Sequence, residues 1–203
     1  MTMDLMTAPA SLDMTPGFVD AARDSQIVFR AVMDALSRPG EVRQLRLSLA
    51  PPPPLDQAMA AIALTLLDFE TAFWLPDAAA DAINWTRFHT GARRAARPAD
   101  AEFVLVPAGA AVPSLDALAL GTDEEPHRSA TLVLGVRGFA GGTRHRLSGP
   151  GIRESLCIDI DGLEARVVEG RAALAPLFPR GIDIVLTAGP SLAALPRTTR
   201  LEV

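Results

Sequence analysis

Lysine is absent from this chain: all 19 basic side chains are arginines. No internal Schiff base to an aldehyde cofactor can form, which excludes self-contained pyridoxal-phosphate chemistry, and no P-loop lysine exists. Tyrosine is absent too, so no phenol can act as an acid or oxyanion donor. The single cysteine, Cys157, excludes an internal disulfide, a CxxC redox pair and a self-ligated iron–sulfur cluster. The three histidines, His89, His127 and His145, stand at no metal spacing such as HxH or HExxH. The longest strongly apolar run, between Asp56 and Asp68, falls short of the roughly 20 residues a membrane span needs. The first 15 residues carry Asp4 and Asp13 and no basic stretch, so no secretory signal is expected. A net charge of −5 argues against nucleic acid as the main partner. A soluble cytoplasmic protein with a reduced Cys157 is the expectation.

What is present suits an ordinary globular core: 203 residues, 49% hydrophobic and 21% charged. Residues 1–16, rich in Met, Thr and Pro, are expected to form a loose arm, and 17–203 a single domain. The spacing predicts a helix over Phe18–Ser37. Arg23, Gln26, Arg30, Asp34 and Ser37 fall on its polar face; Val28, Val32, Ala35 and Leu36 form an apolar stripe that Phe29 and Met33 widen. Pro39-Gly40 ends it. Val42–Leu49 alternates as a half-buried strand, and Pro51–Pro54 reads as a stiff polyproline spacer. A nearly all-apolar helix is expected over Leu55–Ala72, then a short helix or strand within 78–91. Glu102–Val106 reads as a strand and Ser114–Leu120 as a short helix.

The second half reads mostly as strands. Thr131–Arg137, a Gly138–Gly142 turn and Arg144–Leu147 suggest a hairpin. Leu156–Ile160 is a strand in which Cys157 is taken as a small buried residue. A helix follows within Leu163–Phe178, then a buried strand at Ile182–Thr187. Leu192–Leu195 reads as a turn or short helix, and Thr198–Val203 as a terminal strand. The fold class is therefore α/β, a mixed sheet flanked by helices.

Chemistry-bearing residues are few. Asp123-Glu124-Glu125 before His127 is either a solvated acidic loop with a surface histidine or a carboxylate–imidazole cluster. Ser148-Gly149-Pro150-Gly151-Ile152 follows a strand and is either a tight bend or a turn presenting amides to an anion; Pro150 removes one amide. Arg93, Arg94, Arg97, Arg128, Arg180, Arg197 and Arg200 occupy loops. Guanidinium forks suit phosphate, phosphonate or partner carboxylates, yet a chain without lysine must also use arginine for its solvated charge.

Seven blocks in order carry a resemblance. They are Ser25–Met33 with Ser37-Arg38-Pro39-Gly40, Thr65-Leu66-Leu67-Asp68, Phe88-His89-Thr90-Gly91, Gly121-Thr122-Asp123 with Pro126–Thr131, Leu147–Ile152, Phe178–Asp183, and Leu195-Pro196-Arg197-Thr198-Thr199. This set, spread over most of the chain, resembles the PhnH family of subunits of the carbon–phosphorus lyase system for phosphonate breakdown. The resemblance implies a fold related to pyridoxal-phosphate-dependent transferases but without the cofactor. It implies a homodimer that joins PhnG, PhnI and PhnJ in a core complex. With PhnL, that complex is linked to making ribose 1-methylphosphonate 5-triphosphate from ATP and methylphosphonate. It implies that chemistry resides in the partners: a nucleosidase-like step in PhnI, and C–P cleavage by iron–sulfur and S-adenosylmethionine chemistry in PhnJ.

No catalytic residue and no metal ligand is transferred by it. His89, Thr90, Gly91, His127, Arg128, Ser148, Gly149, Gly151, Arg180 and Arg197 are candidates for ligand binding or partner contact. Two functional readings follow: an essential non-catalytic subunit, or a ligand-binding or catalytic domain with its own pocket, in which His89, His127 and Arg128 lead. The first is preferred because no nucleophile or acid–base pair stands out.

Overall fold

A computed structural model describes residues 14–202. All but residues 14–16 of the expected N-terminal arm lie outside the described residues. Helix α1 (Ala21–Ser37) starts three residues later than expected, where the Asp20 side chain accepts a hydrogen bond from the Arg23 amide. Strand β1 (Arg43–Gln44) is short. Helix α2 (Gln57–Leu66) is capped by Asp56, and strand β2 (Ala72–Trp74) follows. Helix α3 (Ala80–Thr90) leads to β3 (Arg93–Arg94) and β4 (Phe103–Val106). After two 3-10 turns come β5 (Thr131–Gly135), β6 (Gly138–Ser148), β7 (Leu156–Asp161) and helix α4 (Ala165–Leu174). Strands β8 (Asp183–Ala188), β9 (Ser191–Leu195) and β10 (Arg200–Glu202) are the last elements of the described residues.

The expected α/β class holds. Seven strands form one mixed sheet in the order β1-β9-β8-β5-β4-β2-β3, and three form a second, antiparallel sheet in the order β10-β6-β7. In the large sheet only β9 runs against the others. Its central strands are covered on both faces, which is why they read as near-continuous apolar runs. Phe73, Leu105, Val133 and Val185 face a core built with Val28, Val32, Met59, Ile62 and Trp85 of helices α1–α3. The alternate residues Val104, Val106, Leu132, Leu134, Ile184 and Leu186 face a second core. That core is closed by Val167 and Leu174 of α4 and by Leu147, Ile158 and Ile160 of the small sheet. Among the described residues no helix is long and apolar enough to cross a membrane.

Several local expectations are corrected. Phe29 and Met33 of α1 are half exposed, at 50% and 51%, because they lie beside the stripe formed by Val28, Val32 and Ala35 rather than on it. The alternation over 42–49 survives as burial of Leu45 and partial burial of Leu47 and Leu49, but ladder bonds are limited to Arg43 and Gln44. The proline run turns at Pro53-Pro54, with the Leu55 amide donating to the Pro52 carbonyl, so it is no straight spacer. Helix α2 stops at Leu66 rather than Ala72: the Asp68 carboxylate accepts from the Glu70 and Thr71 amides, a local turn that competes with the helix.

No hairpin joins Thr131–Arg137 to Arg144–Leu147. Both edges of β5 are taken by β4 and β8, and Gly138–Gly142 is strand, with a register shift against β7. Leu192–Leu195 is buried strand, reached through a two-residue turn at Gly189-Pro190. Cys157 is exposed: Ile158 and Ile160 take the core face of β7, so Cys157 takes the other.

Candidate functional site

The sequence candidates separate into two places. His89 sits in the last turn of α3. Its Nε2 lies 3.1 Å from the Thr15 carbonyl oxygen, which also accepts from the Trp85 indole N–H at 2.8 Å. Trp85 and Phe88 meet the imidazole edge-on. Thr90 donates to the Thr86 carbonyl and accepts from the Ala92 amide. Gly91 ends the helix in the left-handed region, at φ 71°, its amide donating to Arg87. The Phe-His-Thr-Gly block is thus a helix terminus that ties down the segment entering α1. It lies on the α1–α3 side of the sheet.

The remaining candidates gather at the amino ends of β5 and β8. Arg197 is their hub. Its backbone amide and its guanidinium both donate to Asp183, with Nη2 2.6 Å from Oδ2. Nη1 donates to the Pro126 and Pro179 carbonyls at 2.9 and 3.2 Å, and Nη2 also donates to the Ser129 hydroxyl. Arg180 pairs with Asp123 at 3.3 Å, and Arg128 with Glu125 at 2.9 Å. Two carboxylates of the acidic loop, Asp123 and Glu125, are therefore paired with arginines, and His127 lies beside them in a 3-10 turn. Among the described residues no group of three His, Cys, Asp or Glu side chains could hold a metal ion. Asp123, Glu124 and His127 are exposed to solvent.

The Ser148–Ile152 turn adjoins this hub from the other side. Ser148 lies opposite Arg200 in the β6–β10 pair. Gly149 (φ 132°) passes so close to the Thr198 carbonyl that a Cβ would lie 2.8 Å from it, and one on Gly151 (φ 83°) would lie 2.5 Å from the Ser37 carbonyl. These glycines serve close backbone approach; they join the turn to the entry of β10 and to the end of α1.

Between α4 and β10 this arrangement leaves a groove of about 490 Å³, walled by Phe178, Ala172, Ala175 and Pro150 and carrying Arg171, Arg197 and Arg200. Arg171 escaped the sequence reading. It reaches the carbonyls of Leu195, Pro196 and Thr199 at 3.0, 2.8 and 2.9 Å. Burial pushes its guanidinium down to about 10, with Asp183 opposing the shift. The available signal was its spacing: Val167, Arg171 and Leu174 fall at i, i+4 and i+7, which places a charge on the buried stripe of α4. His89, His127 and the 148–152 turn do not share a cleft: His89 contacts the segment before α1, and neither histidine lines this groove.

Residues 16–202 match a family profile described as bacterial phosphonate metabolism protein (PhnH). A curated protein of Rhizobium meliloti (strain 1021), alpha-D-ribose 1-methylphosphonate 5-triphosphate synthase subunit PhnH, is 43% identical over 199 residues, covering 97% of this chain and 99% of the relative. A protein of Stutzerimonas stutzeri, named as the C-P lyase subunit protein HtxG, is 32% identical over 178 residues, covering 88% of this chain and 86% of the relative.

Proposed function

Because this chain belongs to the PhnH family of bacterial phosphonate metabolism proteins, we propose that it works as a non-catalytic subunit of the assembly that forms ribose 1-methylphosphonate 5-triphosphate. The observation that carries this reading is end-to-end similarity, 43% over 97% of the chain, to a relative that bears that subunit's name. The chemistry of the side chains supports a non-catalytic role. Lysine and tyrosine are missing, the hub arginine is spent on Asp183, Ser129 and two carbonyls, and Asp123 and Glu125 of the acidic loop are ion-paired.

In the same proposal the protein is a cytoplasmic homodimer that joins the PhnG, PhnI and PhnJ subunits. Its fold is kin to that of pyridoxal-phosphate-dependent transferases, a kinship supported by the large mixed sheet with helices on both faces. Pyridoxal phosphate does not fit the residues present, since no lysine exists to hold its aldehyde.

The test is co-purification of tagged PhnG, PhnI and PhnJ with this chain, joined to growth of a deletion strain. The expected result is stoichiometric retention, with growth lost on methylphosphonate and kept on phosphate. Turnover of ATP and methylphosphonate by the isolated chain would overturn the non-catalytic reading. Normal growth of the deletion strain on methylphosphonate would overturn the assignment to this assembly.

A further inference from the structure

Arg171 is a buried cation without an ion-pair partner among the described residues. It is 9% exposed, and its fork is held by three neutral carbonyls. Its Nε hydrogen has no acceptor, and the adjacent Thr199 hydroxyl, 4% exposed, has no partner either. Carbonyls satisfy N–H groups but leave a buried charge uncompensated, and buried polar atoms left unpaired demand an explanation. The carboxylate whose field reaches Arg171, Asp183, is already chelated by Arg197.

Both unsatisfied groups belong to residues that line the groove between α4 and β10. On its rim Arg200 is exposed and forms no ion pair among the described residues, and the exposed Thr198 stands beside it. Glu202 also lines the groove. Three guanidiniums thus face two carboxylates, in a protein whose overall charge is −5. A volume of about 490 Å³ with an apolar wall and a few convergent polar groups has the make-up of a small-ligand site.

We propose that this groove is an oxyanion subsite that takes a phosphonate or phosphate group, its charge answering Arg171 and its remainder lying along Phe178 and Ala175. Arg200 supplies the exposed donor; the Arg171 Nε and the Thr199 hydroxyl, closed to solvent in this structure, turn to the anion as it binds, and the anion supplies the missing counter-charge. Arg171 stays protonated at neutral pH, because even after burial it titrates near 10. Glu202 lowers affinity and discriminates against more highly charged anions. The oxyanion chemistry rests on the groove itself; the choice of phosphorus over other oxyanions rests on the function proposed above.

The experiment is calorimetric titration of the full chain at constant ionic strength with methylphosphonate, inorganic phosphate and adenosine monophosphate. Wild-type protein is expected to bind at least one of them saturably at one site. Tighter binding of the free phosphonate points to a small substrate, and tighter binding of the nucleotide to a phosphate ester. Thr199→Val should weaken binding about tenfold, the loss expected for one donor to a charged group. Glu202→Gln should strengthen it, and Arg171→Met should abolish it. Arg171 also ties three carbonyls, so if Arg171→Met does not fold, Thr199→Val and Glu202→Gln carry the test. Absence of saturable binding to wild type by all three anions would overturn the proposal, as would binding that neither Thr199→Val nor Glu202→Gln alters. The titration uses no partner subunit, so failure to co-purify with intact anion binding strikes only the assembly reading, and the converse strikes only the subsite.

Discussion

Replacing Arg197 with methionine tests whether one guanidinium holds the amino ends of β5 and β8 together. The change deletes the Asp183 ion pair, two donors to the Pro126 and Pro179 carbonyls, and the donor to Ser129. Asp183 would keep only the Arg197 backbone amide. Breaking a fully buried pair costs about 3–5 kcal/mol. Here the side chains are 17% and 27% exposed, so water can partly rescue Asp183. The carbonyls lose partners as well, at about 1 kcal/mol each. Together these effects give about 3 kcal/mol, or roughly 6–12 °C in Tm for a domain of this size. Arg197→Lys keeps the charge but loses the planar fork, and should recover less than half of the loss. The assay is urea unfolding followed by tryptophan fluorescence, with the midpoint falling and the slope unchanged. An Arg197→Met midpoint within about 0.5 kcal/mol of wild type, the range of ordinary surface substitutions, would refute the reasoning.

His145 is 2% exposed and neither ring nitrogen has a partner, so burial holds its pKa below the usual 6.5. The unfolded chain therefore binds the extra proton first: stability is full above about 6.5 and is lost as pH falls toward the folded-state pKa. Melting curves from pH 8 to 5 should show this loss, and His145→Leu should flatten it; an equal acid loss in that variant would exclude His145 as the source. Cys157, exposed on β7, should react with a thiol reagent in the native protein at a rate near that of the denatured chain, whereas protection until unfolding would contradict its placement. A methyl group on Gly142 would lie 2.3 Å from the backbone of Ile160 and Asp161. Gly142→Ala should therefore open the β6–β7 pair and cost more than about 4 kcal/mol, read as lost soluble yield; wild-type melting would show that the strands can part cheaply.

Legibility in the sequence followed the physics of each element. Helix α1 and the strands around Val104, Leu132 and Ile184 were readable because local periodicity, end signals and burial agree there. Strand β9 was not, since Leu192–Leu195 is covered on both faces and loses the alternation that identifies a half-buried strand. The β5–β6 error has a different cause: Gly138–Gly142 has turn composition, but β5 has no free edge, and only the tertiary pairing shows that. At the candidate site, the sequence marked Arg197, Arg180, Ser148 and Gly149 as distinctive, and the structure brings them to one end of the sheet. It could not mark which arginines were already spent on neighbours. Arg171, a buried cation held by carbonyls rather than by a carboxylate, lay hidden in an unremarkable helix.

The pairing of β1 with β9 sets a condition on how the molecule can be made. The apolar stripe of α1 packs against Leu192 and Ala194, residues made long after it. A growing chain therefore carries Val28 and Val32 into solution long before their sheet exists. Contacts this distant along the chain make folding slow and expose sticky surface meanwhile. Synthesis, rather than the finished fold, is then the stage at which this protein is most vulnerable, and truncations that remove β9 should be degraded rather than merely weakened.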